Sequence, residues 1–151
     1  MNDVTAMGFS GPTVCRVTGV TYRQLDYWAR TDLVTPSIQP ASGSGSKRTY
    51  SYRDVLEVKV IKSLLDSGVS LARARQAVEC LRDSLGVDLS SSSLVLSENG
   101  SVLADYDGLV DLLRGGQGVF NVVSMANVVA ELTTTMSQLV QTTSEKVIRS
   151  A

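Results

Sequence analysis

The chain contains no histidine, and that absence removes most familiar catalytic arrangements. Nucleophile triads and general bases built on imidazole are excluded, as are His-containing zinc sites. Two cysteines, Cys15 and Cys80, are too few for a structural zinc or a disulfide framework; Cys80 reads as core packing. Gly115-Gly116-Gln117-Gly118 lacks the Gly-Lys-Ser/Thr of a phosphate loop and reads as a helix stop and turn. Asp105, Asp107 and Asp111 would suit a Mg²⁺ or acid/base cluster, but capping and solvation explain them more simply. No enzyme, cofactor or metal is therefore expected. The residues left with chemistry to do are basic and aromatic: Tyr22, Arg23, Tyr27 and Arg30, then Lys47, Arg48 and Tyr50. A guanidinium can pair bidentately with guanine or grip a phosphate, and tyrosine and threonine hydroxyls donate to phosphates.

Net charge is −1, but it is unevenly distributed. Between Gly11 and Arg82 eleven Lys/Arg face six Asp/Glu; from Asp83 onward three face eight. A basic half joined to an acidic half suggests one module for phosphates and another with a separate task. The 151 residues suit one domain or two very small ones, and 43% hydrophobic content is enough for a core. No stretch reaches membrane-spanning length, and Met1 to Ser10 has neither a basic nor a long apolar segment. A reducing cytoplasm is the expected location.

These residues must be positioned by elements the sequence also marks. Residues 1–10 read as a poorly ordered lead. Pro12 suits a first helical position, Thr13–Val17 a short helix, and Gly19 its break. Thr21 is a candidate N-cap for a helix over Tyr22–Arg30, whose Leu25 and Trp28 share one face. Short helix, tight turn and second helix make a helix-turn-helix. Leu33–Pro36 leaves extended, Pro40–Ser46 forms a loop tip, and Lys47–Tyr52 returns with alternation: a wing. Helices follow over Arg53–Ser67 and from Leu71 to about Leu85. Gly86 and the serines at 90–93 mark a boundary, and Asn99-Gly100 marks a hairpin between two short strands. A short helix over Asp107–Leu113, a strand near Gly118–Val123 and a last helix over Ser124–Gln141 complete the chain. In that helix Met125, Val129, Leu132, Met136 and Leu139 follow 4-3-4-3 spacing, which fits either a dimer seam or an intramolecular core face. The expected fold is mainly α with small β elements. Residues 11–85 form a winged helix-turn-helix, 86–93 a linker, and 94–151 a small α+β module ending in a helix.

Several short motifs agree in register with one family. Thr21-Tyr22-Arg23-Gln24-Leu25-Asp26-Tyr27-Trp28-Ala29-Arg30, Leu33-Val34-Thr35-Pro36, Arg48-Thr49-Tyr50, Asp54-Val55 and Leu64-Leu65-Asp66-Ser67-Gly68-Val69-Ser70 resemble the MerR winged helix-turn-helix regulators. The resemblance implies a homodimer on a two-fold symmetric operator, with one recognition helix per half-site in the major groove. It places Arg48 and Tyr50 on the DNA backbone, with Lys47 assisting. Arg23, one turn into the recognition helix, is the expected base reader; Thr13, Thr21, Tyr22, Tyr27 and Arg30 are expected at phosphates. Surface solubility competes for Arg23 and Arg30, and core packing for Tyr27. The interrupted path after residue 85 moves the expected dimer contact to the Met125–Leu139 seam. With no cysteine cluster and no large effector domain, the chain reads as an effector-orphan regulator, with RNA polymerase or another protein as a further partner. Competing readings are an excisionase-like DNA-bending factor and a protein-only adaptor.

Overall fold

The computed structural model describes residues 8–39, 48–84, 88–98, 100–115 and 118–149. Expectations placed on Lys47, on the wing tip at 40–46, on residues 85–87, on Asn99 and on residues 116–117 lie outside the described residues. Helix α1 (Gly11–Thr18) starts where the Ser10 hydroxyl accepts from the Thr13 amide, and Pro12 occupies its first turn. It ends at Gly19, whose φ of 83° is the left-handed conformation that glycine adopts without Cβ strain. Helix α2 (Tyr22–Arg30) opens with a reciprocal box: Gln24 N–H donates to the Thr21 hydroxyl, and Thr21 N–H donates to the Gln24 side chain. Only Leu25 and Trp28 of α2 are buried, in one cluster with Val14 and Val17 of α1.

The first correction concerns residues 9 and 10. They are not part of a loose lead: strand β1 (Phe9–Ser10) pairs antiparallel with β2 (Thr49–Tyr50), Phe9 opposite Tyr50. Gln39 bridges Thr49 from the other arm of the wing. The wing base is thus three short extended pieces, and no local pattern reveals a pairing across that sequence distance.

Helix α3 (Tyr52–Asp66) is capped by Ser51 and Asp54. The Asp54 carboxylate also accepts from the Ser37 amide at 2.8 Å and the Ser37 hydroxyl at 2.6 Å, fastening the outgoing arm of the wing to α3. Helix α3 is buried on more than one side. Val55, Leu56, Val58, Val60, Ile61 and Leu64 are all buried, because α1, helix α4 (Leu71–Asp83) and helix α6 (Met125–Arg149) surround it.

The serines expected as a linker are folded. Leu89–Ser91 is a single 3-10 turn, and Ser92 is buried with its carbonyl accepting from the Met125 amide. Strand β3 (Ser93–Ser97) lies between β4 (Gly100–Ala104) and β5 (Val119–Ser124), antiparallel to both. Helix α5 (Tyr106–Arg114) packs on β3 and β4 without a fully buried residue. One apolar cluster runs from Phe9 through α3 and α4 to Leu94, Leu96 and Met136, across the boundary drawn from the sequence.

Helix α6 carries the second correction. Met125, Leu132 and Met136 are buried inside the molecule, and Val129 and Leu139 pack partly buried against the same cluster. The 4-3-4-3 face is an intramolecular core face against α1, α3 and the sheet, so it is not the dimer seam. A heptad-like pattern of two repeats records only that a face is covered.

Candidate nucleic-acid interface

On α2 the buried pair Leu25 and Trp28 fixes which residues point away from the core. Tyr22 is 58% exposed and Tyr27 51%, so the core reading of Tyr27 does not hold. Arg23 and Arg30 are exposed as well, and Thr21 is exposed at the helix N-terminus. Thr13 is half-buried on α1, its hydroxyl accepting from Ser10 at 3.0 Å.

Arg48 sits at the base of the wing, immediately before β2, and its side chain is only 16% exposed. It forms an ion pair with Asp26 of α2 at 2.8 Å, and Arg30 reaches the other oxygen of the same carboxylate at 2.6 Å. The Arg48 hydrogen bond is the first cause holding the Asp26 carboxyl below its ordinary value; burial opposes it, and both arginine charges assist. Asp26 therefore joins the recognition helix to the wing. Nothing in the local sequence singles it out. Its i,i+4 spacing to Arg30 is visible, but the link to Arg48 depends on how the wing folds back.

Tyr50 departs from its expected place. Its side chain is fully buried, burial pushes its hydroxyl up to about 12, and that hydroxyl has no hydrogen-bond partner among the described residues. It lies in the core under the wing, not on the outer surface where a phosphate contact was expected. It still lines a cleft of about 530 Å³, with Tyr22, Arg48 and the Ser10–Pro12 segment. The structure thus brings Tyr22, Arg48 and Tyr50 together at the N-terminus of α1. Arg23 and Tyr27 stand outside this cleft on α2.

The basic excess that pointed to this half of the chain is largely spent elsewhere. Arg53 donates to the Leu81 carbonyl at 2.6 Å, Arg75 to Thr31 at 3.3 Å, and Arg73 to Ser97. Arg82 donates to the Leu33 carbonyl and pairs with buried Glu57 at 2.8 Å. Lys59 and Lys62 are paired with Glu131 and Asp66. Net charge points to this half of the chain, but most of its cations are turned onto the fold and do not mark one surface.

Helix, tight turn, second helix with an exposed basic and aromatic face, and a wing pinned beside it define a winged helix-turn-helix. Residues 9–81 match the family described as MerR HTH family regulatory protein, so this region is a helix-turn-helix of the MerR type. Uncharacterized HTH-type transcriptional regulators of Mycobacterium tuberculosis and Mycobacterium bovis are 47% identical over 130 residues, which is 84% of this chain. The chain spans 56% of the length of these curated relatives. Among the described residues, no helix is long and apolar enough to cross a membrane, and no group of metal-binding side chains is present.

Proposed function

We propose that this chain is a sequence-specific DNA-binding transcription regulator that acts in the cytoplasm, as a homodimer on a two-fold symmetric site. The observation that carries the reading is the α2 face: Tyr22, Arg23, Tyr27 and Arg30 stand exposed beside a wing whose base is fastened to the same helix. A helix of this kind enters the major groove with its first turns at the base edges. Arg23, on the first turn, is the base reader, with its fork suited to the two acceptors of guanine. Tyr22, Tyr27, Arg30, Thr21 and Thr13 set the register on phosphates, and Arg48 supports the wing against the backbone. Lys47 assists at the same backbone contacts. The relatives named as HTH-type transcriptional regulators support the regulatory part of the reading.

Selection of duplexes from a random pool, followed by titration of the selected duplex against a scrambled one, tests this directly. The expected site is an inverted repeat. With roughly three or four phosphates met per protomer, log K falls against log salt with a slope of about −5 to −7. Occupation in tandem, without an inverted repeat, would assign the chain to DNA-bending factors. No duplex binding at low salt would leave it an adaptor.

A further inference from the structure

A carboxylate on a surface that meets phosphates works against binding, because the phosphates repel it. Asp26 is such a group, half-buried on the outer side of α2 between Arg30 and Arg48. Its contribution to folding does not explain its place, since pairs between partly exposed groups add little to stability. Its geometry does something more particular. One oxygen holds the recognition helix's own Arg30, and the other holds Arg48 at the root of the wing. Arg48 directly precedes the Thr49–Tyr50 strand, so anchoring it sets the distance between the reading helix and the wing.

Resting on the DNA-binding reading above, we propose that Asp26 is a specificity-determining positioning residue: it restrains Arg30 and Arg48, suppressing sequence-independent attraction while holding the wing in register with the reading helix. Non-specific binding is almost entirely counterion release, so each cation held by a carboxylate lowers it. Base contacts from Arg23 are left intact, because Arg23 has no ionic contact with Asp26. The consequence is a lower background and a higher ratio of specific to non-specific affinity.

The test is Asp26→Asn, which keeps the side-chain shape and removes the charge, with Arg48→Ala and the double variant completing a cycle. Each is titrated by fluorescence anisotropy against the duplex selected by the unaltered chain and against a scrambled duplex, over a series of salt concentrations. Asp26→Asn is expected to tighten binding to the scrambled duplex by about fivefold per freed cation at about 0.15 M salt, and to steepen the salt slope by about one for each. With both cations freed and the selected duplex unchanged, the ratio between selected and scrambled duplexes falls by about twenty-five-fold. In the double variant the gain due to Arg48 is lost, which shows that the effect passes through that pair. A role confined to folding would weaken both duplexes together and leave the slope unchanged, and that result overturns the proposal. So does an unchanged ratio. If the unaltered chain itself does not discriminate between duplexes, the DNA-reading assignment fails and this one falls with it; if it does and the variant still discriminates equally, only the role of Asp26 is lost.

Discussion

Arginines on α2 and arginines on α3 and α4 share one chemistry and are put to opposite uses. Arg23 and Arg30 stand exposed on the outer face of α2, where a guanidinium can face a partner, and Arg30 is held there by Asp26 of the same helix. Arg53, Arg75 and Arg82 are turned inward, each onto a main-chain carbonyl: Leu81, Thr31 and Leu33. Two of those carbonyls, Thr31 and Leu33, lie immediately after α2. The inward set therefore braces the exit of the helix that carries the outward set. The proposed reading surface needs a rigid support, and here both are built from the same residue type. The difference teaches that position relative to the core decides whether an arginine binds a partner or binds the fold.

That contrast makes a clear division: changes on the bracing side should cost stability, and changes on the reading side should cost discrimination. The largest effect is expected at Leu132, fully buried on α6. Leu132→Ala should destabilise by about 2–5 kcal/mol in denaturant melts, through the cavity it leaves. The loss should not depend on protein concentration; if it does, this face is shared between chains after all.

Arg82→Ala comes next. It strands Glu57, 5% exposed, without its partner; Arg82 is itself 39% exposed, so solvent screens part of the loss and the cost is about 1–3 kcal/mol. Burial is the main cause that raises the Glu57 carboxyl above its ordinary 4.5, and Arg82 opposes that rise. A raised carboxyl binds its proton more readily in the folded chain than in the unfolded one. Its penalty is therefore absent well below 4.5 and grows as pH climbs through the raised value. Without Arg82 the carboxyl rises further, so the deficit of the variant should be small in acid and full at neutral pH. Urea melts at several pH values check this, and a deficit independent of pH would mean that Glu57 is not its source.

Arg23→Ala is expected to do the opposite. Stability should stay within about 0.5 kcal/mol, as for exposed sites generally. Discrimination between the selected duplex and one altered at a single base should fall by about 1–3 kcal/mol. Equal weakening on all duplexes would move Arg23 to the phosphate contacts. The smallest effect belongs to Thr21, which caps α2 and lies at its proposed phosphate edge. Thr21→Ala should cost about 1 kcal/mol of stability, and a loss of affinity well beyond that would give its hydroxyl a direct contact with DNA.

The N-terminal helices were readable because their signals are local. Thr21 with Gln24, Gly19 at a turn, and Leu25 with Trp28 on one face all act within a few residues. The exposed positions Tyr22, Arg23, Tyr27 and Arg30 follow from the same periodicity. What escaped depends on distant partners. Asp26 meets Arg48 across the wing, Tyr50 is buried opposite Phe9 in the strand pair, and the apolar face of α6 finds α1 and α3 within the same chain. The serine run looked like a linker because serine is common in loops, yet its backbone is used in a 3-10 turn and a strand start. Spacing shows that a face is covered; it does not name what covers it.

Because Phe9 and Ser10 are paired with Thr49 and Tyr50, helices α1 and α2 lie inside a closed loop of roughly forty residues, whose ends must meet before either contact rewards the chain. The strands at the base of the wing thus act as a clasp on the helix-turn-helix. Fraying at the clasp would loosen the turn and the reading helix together, so amide exchange across this region should follow one shared opening rather than separate ones. Removing the first ten residues would open the clasp from one side, although none of those residues was expected to touch DNA.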